Sequence, residues 1–231
     1  MFKSRSSKKE LLDEDDIPEQ DLFQNLRELD FINHWLGGYD ISFGGLKKII
    51  SKGNRYAFVD IGCGGGDTLK RIGNWRTKAG YTIDLHGVDL KPICIQYAKR
   101  NSKNNDINFV CDDYRNIHNH VAQIDIIHAC LFCHHLSEDE LIGLIKFALD
   151  HKVILLINDL ERNPVAYYSI KLLTRLFSNS YLVKNDAPLS VLRGFKRREW
   201  LEILNKAGAE KFSVTNKWAF RHEVIVYGKE S

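Results

Sequence analysis

The chain has 231 residues, of which 44% are hydrophobic, and 33 basic residues against 30 acidic ones give a net charge of +3. That length suits one α/β domain with additions, and the even charge balance argues against a dedicated nucleic-acid binder. No apolar run approaches the roughly 20 residues of a membrane helix, and the basic start lacks the apolar stretch of a signal peptide. We therefore expect a cytoplasmic protein without a membrane span, whose five cysteines are thiols.

One cysteine pattern matches a known attachment motif. Cys130-Leu131-Phe132-Cys133-His134 has the Cys-x-x-Cys-His spacing of c-type haem attachment. Covalent haem of that type belongs to exported proteins, and this motif follows a predicted strand inside a regular α/β pattern. Neither haem nor a metal site is therefore predicted.

The first 50 residues precede the regular part of the sequence and predict helices. Residues 1–10 are expected to form a frayed basic tail. Apolar residues recur at helical spacing over 21–36, Gly37 ends that helix, and a further short helix is expected over 46–51. We predict a helical cap over 1–50, which either packs on the core as decoration or covers an active site as a lid.

Strands and helices alternate from residue 56 onward. The predicted strands cover 56–61, 81–89, 107–111, 124–129 and 152–158, with helices at 67–78, 92–101 and 138–149. A helix over 197–207 and two strands, 211–216 and 223–227, close the chain. This pattern predicts a doubly wound α/β fold with a parallel sheet and helices on both faces. The core domain is expected over 51–231, with a helical insertion on the substrate side over 161–194, in which the stretch 165–177 has a helical and apolar pattern.

Glycines cluster between the first predicted strand and the next helix, in Gly62-Cys63-Gly64-Gly65-Gly66-Asp67. In a doubly wound sheet this turn lies at the carboxyl edge, where ligands bind, and glycine allows a sharp turn and a close approach. The dinucleotide fingerprint Gly-x-Gly-x-x-Gly would need a third glycine where Asp67 stands. An aspartate there suits a helix start, repels a pyrophosphate and tolerates a cation. The loop therefore favours S-adenosylmethionine, which has cationic groups and no phosphate, over NAD, although capping alone would also explain Asp67.

Acidic residues end the next two strands. Asp89 stands where an acid holds the ribose hydroxyls, and one of Asp112 and Asp113, preferably Asp113, is expected to accept from the adenine amino group. Tyr114 is expected to pack on the adenine ring. The predicted cofactor-binding set is Asp60, Gly62, Cys63, Gly64, Gly66, Asp67, Asp89, Leu90, Asp112, Asp113, Tyr114 and Cys130.

These motifs together resemble a known family. Val59 to Asp67, Val88-Asp89, Val110 to Tyr114 and Ile124 to Leu136 resemble the successive motifs of class I S-adenosylmethionine-dependent methyltransferases. The resemblance implies a Rossmann-like seven-stranded sheet of order 3-2-1-4-5-7-6 with an antiparallel last strand, and implies that Asp60 helps to hold the methionine part of the cofactor. Cys63 departs from the small or acidic residue usual there.

A second resemblance is more specific. Asn25 to Leu29, Trp35 to Gly38 and Asn158 to Arg162 resemble bacterial methyltransferases related to quinone-pathway enzymes, some of which methylate hydroxyls of alkylresorcinols. It implies O-methylation of a small apolar acceptor, phenolic or quinol in type.

Two histidines follow the fourth predicted strand at the ligand edge of the sheet. A phenol has a pKa near 10, and His135 or His134 is a candidate base for its proton, or else positions the loop. Asp159 is expected either to orient the acceptor or a histidine, or to cap a turn. The predicted substrate residues are Trp35, Asp159, Arg162 and Tyr168.

Three alternatives compete with this interpretation. A methyltransferase acting on RNA or protein would use the basic run 196–198, although such a run usually lies on a solvated helix face. A scaffold that binds S-adenosylmethionine without catalysis would have the same glycine loop. An NAD oxidoreductase is disfavoured by Asp67. We expect a small-molecule acceptor and no nucleic acid.

Overall fold

The computed structural model describes residues 1–14, 16–102 and 106–228. At its centre lies one seven-stranded sheet with the order β3-β2-β1-β4-β5-β7-β6. The strands are β1 (Arg55–Ile61), β2 (Thr82–Asp89), β3 (Ile107–Cys111), β4 (Ile126–Cys130), β5 (Ile154–Leu160), β6 (Phe212–Lys217) and β7 (Arg221–Val226). Strands β1 to β5 pair in parallel, and β7 runs antiparallel to both β5 and β6. The predicted fold class and strand order are confirmed.

Helices cover both faces of this sheet. They are α1 (Glu19–Trp35), α2 (Gly38–Ile49), α3 (Asp67–Ala79), α4 (Pro92–Asn101), α5 (Glu138–Asp150), α6 (Pro164–Phe177), α7 (Tyr181–Arg193) and α8 (Arg197–Ala207). None of the helices in the described ranges is long and apolar enough to cross a membrane.

Successive residues of the central strands point to opposite faces, so the sheet has two cores. Val59 and Ile127 belong to the core under α5 and α8. Their neighbours Phe58 and Ile126 belong to the core under α2, α3 and α4. Because both faces are buried, these strands are continuous apolar runs rather than alternating ones.

Helix α2 is an integral part of the second core. Gly37, with φ of 67°, ends α1, and α2 begins at the next residue rather than over the predicted 46–51. A Cβ at Gly45 would lie 2.5 Å from Leu156 Cδ1, so this glycine lets α2 pack closely on β5. The core residue Leu46 is completely buried.

Helix α7 lies within the predicted helical insertion over 161–194, but its bounds were not predicted from the sequence. It contains Pro188, which normally disfavours a helix interior, and its buried residues lie all around it rather than on one stripe. It packs between α6, α1 and the turn at Cys133–His135. Strand β5 begins two residues later than predicted, because Lys152 has φ of 60° and belongs to a turn.

Candidate active site

A cavity of about 850 Å³ opens at the carboxyl edge of the sheet, on the ends of β1, β2, β3 and β4. Its walls come from the glycine loop, from α1 and from the segment before α1. Of the predicted cofactor set, every member lines this cavity except Gly66. The topology therefore brings together side chains that are 70 residues apart in the chain.

The glycine loop uses left-handed backbone at three positions. Gly62, Gly64 and Gly66 have φ of 62°, 51° and 74°, which residues with a Cβ rarely adopt. A Cβ at Gly62 would also lie 2.2 Å from Phe132 Cδ2. The loop thereby turns its backbone toward the cavity and brings α3 to its edge.

Asp89 connects the loop to the second strand. Its carboxylate accepts hydrogen bonds from the backbone N–H groups of Gly64 and Lys91, both at 2.9 Å. Burial raises the pKa of Asp89 above its usual range, although the two amide donors oppose the shift. Because each carboxylate oxygen has a second lone pair, the group can still accept from ligand hydroxyls.

Asp67 is the first residue of α3 and not its N-cap, which is Gly66. The Asp67 side chain accepts from Asn101 Nδ2 at 2.9 Å. Burial and the nearby Asp30 raise its pKa to about 7. A positively charged ligand group in the cavity would favour its ionised form.

Asp112 and Asp113 both have partners within their own loop. Asp112 accepts from Asn116 and from His120, and these contacts lower its pKa to about 2. Asp113 accepts from the backbone and guanidinium of Arg115. Both acids line the cavity, and neither contact distinguishes which of them would face an adenine.

Beneath the cavity lies a buried hydrogen-bonded chain that the sequence did not indicate. His128 joins Asp60 Oδ1 at 2.7 Å through Nδ1 and Ser42 Oγ at 2.9 Å through Nε2. Asn158 Nδ2 donates to the same Ser42 Oγ at 3.0 Å. Asp60, at the cavity wall, is thus held by side chains of α2 and β4.

The two candidate base histidines lie in different environments. His134 is buried, and its backbone N–H and Nδ1 both bond to Asp159, at 3.0 and 2.7 Å. His135 lines the cavity with its side chain 23% exposed, and its Nδ1 lies 3.2 Å from Asp13 Oδ1. His135 is therefore the histidine that an acceptor in the cavity can reach.

The N-terminal segment completes this part of the site, and the expectation of a frayed tail over 1–10 is wrong. Arg5 donates to the carbonyl oxygens of Arg193, His134 and Leu136. Charged side chains in a basic tail have no periodicity that would predict these tertiary contacts.

Glu10 is 3% exposed and lies 3.6 Å from His134 Nε2 and 3.8 Å from His135 Nε2. Burial raises its pKa to about 7, against the opposing effects of His135, Ser190 and Arg193. Glu10, His134 and His135 have ligand atoms within 4.8 Å of one another, which is a spacing that a metal ion can also use. In this structure Ser190 donates to Glu10, and Arg193 lies 3.9 Å from it.

The four predicted substrate residues do not line the cavity. Trp35 and Tyr168 are 70% and 61% exposed. Arg162 is buried in an ion pair with Glu199 at 2.5 Å, and Asp159 lies behind His134. Asp159 is connected to the cavity indirectly, because it bonds to His134 and the next residue, His135, lines the cavity.

One protein family matches the central part of the chain. Residues 58–151 match the family model described as a methyltransferase domain. No curated relative matches the sequence. Over these residues the chain therefore has a methyltransferase domain, which supports S-adenosylmethionine-dependent methyl transfer with S-adenosylmethionine as the cofactor.

Solved structures agree on the fold. The plantazolicin methyltransferase BpumL in complex with SAH has a TM-score of 0.64 at 18% identity, with 91% of this chain and 90% of that chain covered. BamL, with a triazolic desmethylPZN analog and SAH, gives 0.63 at 17% identity, covering 92% of each chain. An S-adenosylmethionine-dependent methyltransferase from Aquifex aeolicus gives 0.59 at 18% identity, covering 91% of this chain and 98% of that one. At these identities the likeness establishes the fold.

Proposed function

We propose that the protein transfers the methyl group of S-adenosylmethionine to a hydroxyl of a small apolar acceptor, phenolic or quinol in type. One observation carries the proposal. A single cavity combines the glycine loop and Asp89 on one side, an apolar wall from the N-terminal segment, and His135 held by Asp13.

The apolar wall suits an apolar acceptor. It consists of side chains from the N-terminal segment and α1, namely Leu12, Ile17, Leu22, Leu26 and Leu29. Methyl transfer is an in-line displacement that depends on alignment of the reactants and exclusion of water rather than on covalent catalysis by the protein. An apolar cover over the reacting groups supports both requirements.

His135 is the proposed proton acceptor. Burial works against ionisation of Asp13, but its bond to His135, the Glu10 amide and Arg193 outweigh that effect and lower its pKa to about 2. An Asp13 carboxylate that accepts the Nδ1 proton leaves Nε2, which lies 3.8 Å from Glu10 Oε2, as the ring nitrogen that can take a proton. S-adenosylmethionine, when bound, would supply the methyl group from its sulfonium, with S-adenosylhomocysteine as the leaving group. His135 Nε2 would take the proton of the acceptor hydroxyl as its oxygen receives the methyl group.

The test is transfer of an isotope-labelled methyl group to a panel of alkylresorcinols, quinols and catechols. We expect labelled methyl ethers, and His135→Asn should lower kcat by roughly 10²- to 10⁴-fold with KM nearly unchanged. His151→Asn, a change at the exposed histidine that follows α5, is the control and should be neutral. If SAH binds but no hydroxyl is methylated, the proposal of O-methylation is wrong; if no acceptor of any type is methylated, the protein binds the cofactor as a scaffold.

An amine acceptor is a second candidate, because carboxylates outnumber basic groups in the cavity. Asp13, Asp30, Asp60, Asp67, Asp89, Asp112, Asp113 and Glu140 line it, against Lys91 and Arg115. A cationic amine is attracted to such a lining and would need to lose a proton before it reacts. Amines of matched size, and the azolic type of acceptor named for the plantazolicin enzymes, therefore belong in the same panel.

A further inference from the structure

Helix α6 carries an apolar surface that the rest of the described chain does not cover. Within α6 only Thr174 is buried. Its exposed apolar side chains are Val165 at 59%, Tyr168 at 61%, Leu172 at 58%, Leu173 at 43%, Leu176 at 64% and Phe177 at 77%. We call these six residues the α6 face. An exposed apolar patch of this kind is unusual on a monomeric protein and marks a site of interaction.

Positive charge accompanies the α6 face. Residues 163–185 contain no acidic residue. Lys171 and Arg175 are both exposed and stand one helical turn apart, beside Leu172 and Leu176 in the chain. The apolar surface is therefore bordered by cations and by no anion from its own helix.

The α6 face lies on the outside of the layer that closes the cavity. α6 packs on α7, and Asp186 of α7 accepts from the backbone N–H groups of Leu11 and Leu12, both at 2.8 Å. Leu12 in turn lines the cavity. Only one helix layer thus separates the α6 face from the wall assigned to the acceptor.

We propose that the α6 face docks the protein on the surface of a bilayer that contains anionic lipids. An amphipathic helix with basic residues at the edge of its apolar face inserts that face at the level of the headgroups. Each basic residue near an anionic surface adds to the attraction. With 14 residues α6 is about 21 Å long, which is too short to span a bilayer, so it lies in the interface.

Charge favours a bilayer over a second copy of the chain. A two-fold interface across the α6 face would bring the basic residues of both copies together without an acidic partner from either α6. An anionic lipid surface instead complements them. If the proposed function also holds, docking would bring an apolar acceptor dissolved in the bilayer close to the cavity, but the docking itself does not depend on that function.

The experiment is co-sedimentation of the full chain with phosphatidylcholine vesicles, with and without phosphatidylserine. We expect strong binding to the anionic vesicles and weak binding to the neutral ones. Lys171→Gln with Arg175→Gln should weaken binding to anionic vesicles by roughly 30-fold and leave the weak neutral binding unchanged. Leu172→Ser with Leu176→Ser should weaken binding to both.

The control pair is Lys78→Gln with Lys146→Gln, which removes the same charge from exposed positions of α3 and α5. It should bind like the unaltered protein. SAH binding and thermal unfolding of every variant report whether fold and cofactor site are intact. Absence of vesicle binding by the unaltered chain, equal loss in the control pair, or a dimer in light scattering that Leu172→Ser with Leu176→Ser dissociates would each overturn the proposal.

Discussion

At the scale of single residues, Asp89 has two functions in the same position. It holds the amide groups of Gly64 and Lys91, and it is the acid proposed to bind the ribose hydroxyls. Asp89→Ala should lower SAH affinity by roughly 10- to 150-fold while the fold stays intact, because hydrogen bonds to an ionised group are lost. Calorimetry measures the change. Asp89→Asn keeps one acceptor oxygen and should lose less; if Asp89→Ala binds SAH normally, the cofactor-site assignment is wrong.

Asp67 makes the stability of the ligand-free protein depend on pH. Its pKa in the folded state is about 7, raised from an ordinary value of 3.8, so the folded state holds the proton more tightly than the unfolded one. The contribution of this proton to the unfolding free energy is complete below about pH 3.8 and is lost as the pH rises through 7.

Asp67→Asn should therefore flatten the dependence of the unfolding free energy on pH between about 4 and 7. Three pKa units set an upper limit of about 4 kcal/mol, which solvent access to this half-buried group reduces. Urea unfolding at a series of pH values measures it. Some slope should remain, because Glu10 has a raised pKa of about 7 as well. An unchanged slope in the variant would mean that Asp67 is already ionised at low pH.

At the scale of elements, Glu28 fixes the α6–α7 hairpin to α1. Its carboxylate accepts from the Ser178 hydroxyl and from the backbone N–H groups of Asn179 and Ser180, the latter two at 3.1 Å. Glu28→Gln removes the charge and one acceptor and should cost about 1–3 kcal/mol of unfolding free energy. It should also speed hydrogen exchange at residues 178–182.

The matched control is Glu19→Gln on the same helix. Among the described residues, Glu19 forms an ion pair with the exposed Arg100, at 3.6 Å, and such surface pairs contribute little. Its removal should change stability by less than about 1 kcal/mol. Equal effects of the two substitutions would show that Glu28 is no more than a surface charge.

The sequence predicted elements well where a local pattern determined them. α4 and β3 have the predicted bounds, and the Ser137–Glu140 capping box of α5 is present. The bounds of α7 were not predicted because tertiary burial on several sides, rather than an amphipathic stripe, stabilises a helix that contains Pro188. α2 was predicted too short because its glycines indicate a turn, whereas here they permit close packing on β5.

At the scale of the whole molecule, the sequence predicted the part of the cavity lining that comes from the strand ends, but not the part that comes from the N-terminal segment. Residues at the carboxyl ends of parallel strands meet at one edge whatever their separation in sequence, so the sequence placed the loop acids at the edge where the cavity lies. The other part comes from the segment before α1, where Glu10 and Asp13 reach the histidines through long-range contacts that have no local signature. The substrate residues were displaced for the same reason. Their positions in the chain suggested that they lie near the cavity. In the folded protein, Arg162 instead forms a buried ion pair with Glu199.

The position of Gly37 has a consequence for recombining this chain with its relatives. On one side of it, α1 supplies the apolar wall of the cavity; on the other, α2 is locked to the sheet by Gly45 and by Ser42, the partner of His128. A hybrid protein that exchanges acceptor preference should therefore take its crossover at Gly37. Its donor segment would include the α6–α7 hairpin, since Glu28 binds that hairpin. To transfer acceptor preference, the stretch up to Gly37 and the α6–α7 hairpin must therefore come from the same parent protein.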